Sequence, residues 1–260
     1  MIMKERIRNF FRYRYLLWEL VKKGIKLKYR RSYLGILWSL LEPLLTMVVL
    51  TFIFGTLLGH NEKTFAVYVL SGRLLYSFFS MATNSALRSV RGNAAMIKKV
   101  YVPKYLYPLS GILFNYVIFL LSLVVLAIVS LVQGVYPTWH IFEMVIPLTL
   151  LLLFSFGVGM ILATIGVFFR DMEYLWSVVL MLVMYTCAIF YYPDGLIKSG
   201  KGWVLKINPL YCIISCFRDT LFGDPMNLKM LLYASASSIA VVLFGVWIFY
   251  KKQDEFILHI

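Results

Sequence analysis

Six apolar runs, each close to the roughly 20 residues needed to cross a hydrocarbon core, constrain this chain more than any other feature. Hydrophobic residues make up 61% of the sequence, well above the usage of soluble domains. We therefore predict an all-α polytopic membrane protein that forms a single domain over residues 1–260. The predicted spans cover residues 37–58, 65–83, 109–132, 145–168, 174–191 and 230–250.

The lysine and arginine residues predict the orientation of these spans. Residues 1–36 hold 11 of the 26, the 84–108 loop holds five, Arg170 adds one and the tail 251–260 adds two. The segments on the opposite side hold six. By the positive-inside rule, both termini lie in the cytoplasm. The net charge of +14 is explained by this topology, so we expect membrane lipids and no nucleic acid as partners.

Catalysis within the membrane, as in a lipid-phosphate transferase, would need acidic residues clustered for a metal or for acid–base work. The twelve acidic residues here are scattered, and Glu42 is the only one well inside a predicted span. The three cysteines have no metal-ligand spacing. We predict no catalytic, cofactor or metal site in this chain. A membrane-embedded transferase, and a channel or scaffold without ATPase partners, stay open as alternatives.

A basic amphipathic helix is predicted over residues 16–34, directly before the first span. Its apolar face is expected to contain Leu16, Leu20, Val21, Ile25, Leu27 and Tyr29, and its opposite face Lys22, Lys23, Lys26 and Arg30. Lys28 and Arg31 do not follow this division. The helix is either a plain anchor in the cytoplasmic headgroups or a mechanical element, with Gly35 in the hinge that follows it.

Charged residues and a proline lie inside two apolar runs. Glu42 and Pro43 fall early in the first span, where proline bends a helix and a carboxylate must face protein or water. They form a structural kink or line a substrate path. Arg73, in the second span, reaches the outer headgroups, pairs with an acid such as Glu42, or meets an anionic phosphate.

Two long connections are predicted to carry short helices. The basic 84–108 loop is either a cytoplasmic surface helix offered to a partner or a simple connector. On the outer side, residues 211–222 are apolar but too short to span, which predicts re-entrant short helices between the fifth and sixth spans. Arg170 and Asp171 follow the fourth span and are predicted to cap helix ends and fix neighbouring helices.

Five motifs, taken in order, resemble the permease subunit of ABC-2 type exporters that move lipid-linked polysaccharides. They are YRRSYLGILW at 29–38, Glu42-Pro43-Leu44, Leu70-Ser71-Gly72, Phe168-Phe169-Arg170-Asp171, and Asn208-Pro209-Leu210 followed by Arg218. The resemblance covers nearly the whole chain and is greatest to teichoic acid and O-antigen exporters.

The resemblance implies a homodimer in the bacterial plasma membrane, with two separate ATPase subunits that carry ATP and Mg²⁺. The amphipathic helix and a coupling helix within residues 91–104 would contact these ATPases. The substrate would be an anionic polymer linked to undecaprenyl diphosphate, with wall teichoic acid preferred. O-antigen or capsular polysaccharide is the alternative.

The expected site residues form three groups. Basic residues expected to contact the ATPases are Lys22, Lys26, Arg30, Arg31, Arg91, Lys98, Lys99 and Lys104. Residues expected along the channel are Trp38, Glu42, Pro43, Arg73, Tyr76, Tyr185 and Tyr191. Residues expected to have structural roles are Gly35, Arg170, Asp171, Asn208, Pro209 and Arg218.

Overall fold

The computed structural model describes residues 13–30, 34–58, 64–100 and 102–260. In these residues it contains helices and no strands, which confirms the predicted all-α class. The helices are α1 (Arg14–Tyr29), α2 (Trp38–Leu58), α3 (Phe65–Gly92), α4 (Ala94–Ile97), α5 (Leu106–Val132), α6 (Val145–Phe168), α7 (Met172–Thr186), α8 (Asp194–Lys198), α9 (Trp203–Lys206), α10 (Pro209–Phe222), α11 (Leu228–Lys252) and α12 (Phe256–His259). Segments of 3-10 helix cover Gly35–Leu37, Trp139–Met144 and Gln253–Glu255, and the second of them is two turns long.

In the described part of the chain, four helical stretches are long and apolar enough to cross a membrane. They are Phe65–Gly92, Leu106–Val132, Trp139–Phe168 and Leu228–His259. These stretches contain four of the six predicted spans. The other two predicted spans fall on α2 and α7, whose apolar stretches are shorter by the same criterion.

Helix α3 forms the centre of the fold and is buried along most of its length between α5 and α6. It continues nine residues beyond the predicted end of the second span, to Gly92. Ala86, Leu87 and Val90 in this extension are completely buried, whereas Arg88 points outward. The predicted surface helix of the 84–108 loop is therefore reduced to α4, a single turn.

Helices α6 and α11 make the most intimate contact in the fold. A Cβ built on Gly245 would lie 2.4 Å from the carbonyl oxygen of Gly157, so the two backbones touch directly. Small residues allow such close approach in membrane helices, where packing drives association in the absence of a hydrophobic effect.

Helix α1 lies along α5 and buries Leu17 and Val21. A Cβ on Gly24 would lie 3.1 Å from Cγ of Phe114, so the phenyl ring fits against the glycine. The packed side of α1 therefore runs through positions 17, 21 and 24, and Lys28 continues this spacing one turn later, where its side chain is exposed. Leu27, which we predicted on the apolar face, is 57% exposed and lies outside the part of that face that packs on α5.

The segment between α7 and α11 carries three short helices, of which α10 is the longest. Its 14 residues extend about 21 Å, less than the thickness of a hydrocarbon core. It begins at Asn208, whose side chain accepts a hydrogen bond from the Leu210 N–H, with Pro209 in the first turn. It ends at Gly223 in the left-handed conformation. Ten of its residues are buried, so it is an integral part of the core.

Candidate functional site

A cavity of about 100 Å³ lies where α1, α2, α3 and α5 meet. We call it the charged cavity because Lys28, Glu42 and Arg73 line it, each from a different helix. Asn115 and Ser122 of α5 add two neutral polar side chains. Ionisable residues at membrane depth face protein or water, so this concentration marks the best candidate for a binding site.

Lys28 lies near the C-terminal end of α1 and lines the charged cavity. Its Nζ lies 4.0 Å from Sδ of Met81 on α3 and 5.7 Å from the ring centre of Tyr29. Partial loss of water lowers the pKa of the Lys28 ammonium from its ordinary value, and the nearby Glu42 carboxylate opposes that shift. The Lys28 ammonium thus supplies a positive charge to the lining of the cavity.

Glu42 and Pro43 enter the charged cavity from α2. Pro43 has no N–H and cannot bond the carbonyl of Ser39, four residues earlier. The hydroxyl of Ser122 donates to that carbonyl at 3.0 Å, and it also lies 3.1 Å from the carbonyl of Ile118. A side chain of α5 therefore stabilises the break in the hydrogen-bond ladder of α2.

Arg73 lines the charged cavity from α3. Its Nη1 is 3.9 Å from Sδ of Met184 on α7. In the described part of the chain it forms no ion pair with Glu42, although both residues line the same space. The guanidinium can therefore interact with a ligand without first breaking a salt bridge.

The predicted channel residues fall into two sets. Trp38 joins Glu42, Pro43 and Arg73 in the lining of the charged cavity. The three tyrosines do not line this cavity. Their hydrogen bonds involve backbone carbonyls of α7. Tyr76 is buried with its hydroxyl donating to the Leu180 carbonyl at 2.8 Å, and the Tyr191 hydroxyl donates to the carbonyl of the exposed Tyr185 at 2.7 Å.

The lining residues of the charged cavity that sequence reasoning missed include Lys28, Asn115 and Ser122. Lys28 continues the spacing of Leu17, Val21 and Gly24, which would have placed it on the side of α1 that faces the cavity. Asn115 and Ser122 are seven residues apart in a predicted span and therefore share one helix face. The repeat of polar residues along one face of an apolar span was the signal that could have indicated these lining residues.

The basic residues expected to contact the ATPases differ in their surroundings. Lys22, Lys26, Arg30, Lys98 and Lys99 are exposed. Arg31 lies outside the described residues. Arg91 and Lys104 are engaged within the chain: Arg91 contacts Glu173, and Nζ of Lys104 donates to the carbonyl of Gln253 at 2.5 Å.

Glu173, in the first turn of α7, connects that helix to α3. Its carboxylate contacts Arg91 and also forms an ion pair with Nε of Arg88 at 2.8 Å. The neighbouring Arg170 and Asp171 are exposed, and Asp171 makes no side-chain cap hydrogen bond to α7. The acid that joins the two helices is thus two residues beyond the predicted pair.

Arg218 of α10 is buried against α3. Its Nη1 donates to the carbonyl of Ala188 at 3.0 Å and its Nη2 to the carbonyl of Tyr68 at 2.9 Å. Its Cζ lies 3.5 Å from the ring centre of Tyr68. Gly72 provides the space, because a Cβ there would lie 2.3 Å from Nη2.

Asn208 and Gly35, two other residues expected to have structural roles, lie where the chain enters a helix. Nδ2 of Asn208 donates to Oγ1 of Thr186 at 2.9 Å and contacts Sγ of Cys187 at 3.3 Å, so it joins the start of α10 to the end of α7. Gly35, with φ of +50°, begins the 3-10 turn that leads into α2. The left-handed conformation favours glycine at that position.

Comparison with known proteins gives consistent matches over most of the chain. The family described as ABC-2 type transporter matches residues 15–222. The O-antigen export system permease protein RfbA of Klebsiella pneumoniae is 30% identical over 247 residues, which cover 93% of each chain. RfbA of Myxococcus xanthus is 27% identical over 96% of this chain and 97% of its own. The polysialic acid transport protein KpsM of Escherichia coli is 22% identical, with 91% and 92% coverage.

Proposed function

The chain belongs to the ABC-2 type transporter family, and from that premise we propose that it is the membrane subunit of an ATP-driven exporter of a surface polysaccharide. The observation that carries this proposal is the 30% identity to an O-antigen export permease over 93% of both chains. The apolar helices agree with a multi-pass protein of the inner membrane.

We propose O-antigen or capsular polysaccharide as the substrate class. The sequence motifs alone favoured wall teichoic acid, with these glycans as the alternative. The names of the relatives, O-antigen export permeases and a polysialic acid transport protein, support the alternative better. The substrate is then a glycan on a lipid diphosphate, and teichoic acid polymer serves as the comparison substrate in a test.

The proposed assembly is a homodimer with two ATPase subunits that bind ATP and Mg²⁺. Each copy crosses the membrane six times, with α2 and α7 as the additional spans and both termini in the cytoplasm. The distribution of lysine and arginine supports this orientation. The faces of α2 and α7 carry exposed apolar side chains that suit contact with lipid or with a second copy: Leu45, Val49, Phe52, Leu175, Val178 and Leu182.

Within this assembly we propose that the charged cavity binds the phosphate end of the lipid carrier. Lys28 and Arg73 supply two cations against the single carboxylate of Glu42, so the lining carries a net positive charge that favours an anion. A space of about 100 Å³ can accept a phosphate group. In this proposal the glycan moves through a different space, between the two copies.

Coexpression with the ATPase of the same transport system tests this function. We expect the two proteins to purify together and ATP hydrolysis to rise when a lipid-linked glycan is added to reconstituted vesicles. Glycan without the lipid diphosphate should stimulate less. Failure of the two proteins to associate would contradict the proposal. So would metal-dependent transferase activity of this chain alone, which would support the rival class.

A further inference from the structure

The C-terminal residues fold back onto the body of the protein. We call residues 253–260 the C-terminal clasp; it consists of one 3-10 turn and the short helix α12. Phe256 is completely buried within it. The Phe256 ring packs edge-on against Phe249 of α11 at 5.2 Å and against Phe168, the last residue of α6, at 6.0 Å. The His259 ring lies 4.8 Å from the same Phe168 ring.

A polar contact connects the clasp to the chain that precedes α5. Nζ of Lys104 donates to the carbonyl of Gln253 at 2.5 Å and lies 5.9 Å from the ring centre of Phe256. Tyr105 and Tyr250 lie beside this contact with their ring centres 6.2 Å apart. The clasp therefore contacts the end of a segment that begins in α4. The two residues in this contact, Lys104 and Gln253, are 149 residues apart in the sequence.

The 94–104 segment is anchored in part. Ile97 and Val102 are 9% exposed and belong to the same apolar cluster as Phe256, whereas α4 is a single turn and Val100 after it is 53% exposed. A cavity of about 340 Å³ separates the segment from the clasp. It is lined on one side by Ile97, Val100, Val102, Pro103, Lys104 and Tyr105, and on the other by Tyr250, Gln253, Asp254 and Ile257. The contacts at Lys104 and Tyr105 thus bridge an otherwise open space.

We propose that the C-terminal clasp is a positioning element that sets the 94–104 segment for coupling to the ATPase subunit. This inference rests on the proposed function. The segment is held at one end by the pairs of Glu173 with Arg88 and Arg91 and at the other by the clasp. Because Phe256 packs on both α6 and α11, displacement of the segment is transmitted to the ends of two membrane helices.

The proposal is tested in the assembled complex with its ATPase, reconstituted in vesicles. Phe256→Ala should leave copurification and basal ATP hydrolysis unchanged, while stimulation by lipid-linked glycan falls about five-fold or more, the lower range of a coupling effect. Leu258→Ala is the matched control, because Leu258 lies in the same short helix and is 82% exposed. It should behave as the native protein.

A second variant separates positioning from folding. Lys104→Met should reduce the glycan-stimulated component, and Lys104→Arg should restore it, because arginine can still donate to the Gln253 carbonyl. A purely structural role would lower the yield of complex and leave the ratio of stimulated to basal hydrolysis constant. That result, or normal stimulation in Phe256→Ala, would overturn the clasp. Absence of stimulation in the native complex would instead contradict the proposed function itself.

Discussion

The hydroxyl of Ser122 donates a 3.0 Å hydrogen bond to the carbonyl of Ser39, the acceptor that Pro43 cannot serve. The two serines are 83 residues apart in sequence, and both line the charged cavity. A proline in a membrane helix is tolerated where a neighbouring hydroxyl satisfies the backbone in this way. The backbone of α2 next to Glu42 is therefore satisfied by α5 where the proline leaves a carbonyl without its partner.

Replacing Ser122 by alanine should lower the free energy of unfolding by about 1 kcal/mol, because a buried acceptor loses its donor. In a Pro43→Ala background the same change should cost much less, since alanine at position 43 supplies the missing N–H. Unfolding in mixed micelles, followed by circular dichroism, measures both. Ser177→Ala is the control, because that exposed hydroxyl bonds only within its own helix. Equal costs in the two backgrounds would contradict the assignment.

Gly72 should tolerate no side chain. Gly72→Ala places a methyl group against the buried guanidinium of Arg218, and we expect a loss of about 2 to 3 kcal/mol in unfolding free energy. Gly92→Ala in the same helix meets nothing within 4 Å and should be neutral or slightly stabilising. Adding Arg218→Met to Gly72→Ala should restore part of the unfolding free energy that the methyl-group clash removes. Equal effects at positions 72 and 92 would argue against close packing at Gly72.

The membrane helices could be predicted because lipid leaves a chain few alternatives. Apolar runs of the required length become helices, since the backbone has no other hydrogen-bond partners at that depth. Helix ends were harder to predict. The second span is predicted to end at Thr83, yet Ala86, Leu87 and Val90 continue the buried face of the same helix. The spacing of these apolar residues is the signal for the longer helix.

The charged cavity was only half predictable for a related reason. Glu42, Pro43 and Arg73 stand out because each is unusual inside an apolar run. Lys28 does not stand out within a helix that is rich in lysine, and its position depends on how α1 is rotated about its axis. That rotation is set by the contact between Gly24 and Phe114, 90 residues apart, which no local pattern reveals.

Glu173 should contribute more to stability than the adjacent Asp171. Glu173→Gln removes the charge that two arginines share, and we expect a loss of about 1 kcal/mol at low salt. The loss should shrink as the ionic strength rises, because Arg88 is largely exposed. Asp171→Asn, at an exposed position without a side-chain cap, should change little. Thermal unfolding at two salt concentrations compares the variants, and equal losses at both positions would refute this role of Glu173.

The charged cavity makes a prediction about pH. If Lys28 binds the phosphate end of the lipid carrier as an ammonium, affinity is present below its folded pKa and declines as the pH rises through it. Desolvation lowers the pKa of Lys28, so this decline should begin at a lower pH than for an ordinary lysine. The half-saturating concentration of lipid-linked glycan in the ATPase assay measures this decline in affinity.

Three variants test the part of Lys28 in this pH dependence. Lys28→Met should raise the half-saturating concentration about ten-fold, as loss of one charge-assisted hydrogen bond implies, and should remove the pH dependence. Lys28→Arg should keep the affinity and move the decline above the tested range, because a guanidinium stays protonated there. Lys23→Met, on the exposed side of α1, should retain both the affinity and the pH profile. If Lys28→Met and Lys23→Met gave the same profile, Lys28 would have no part in phosphate binding.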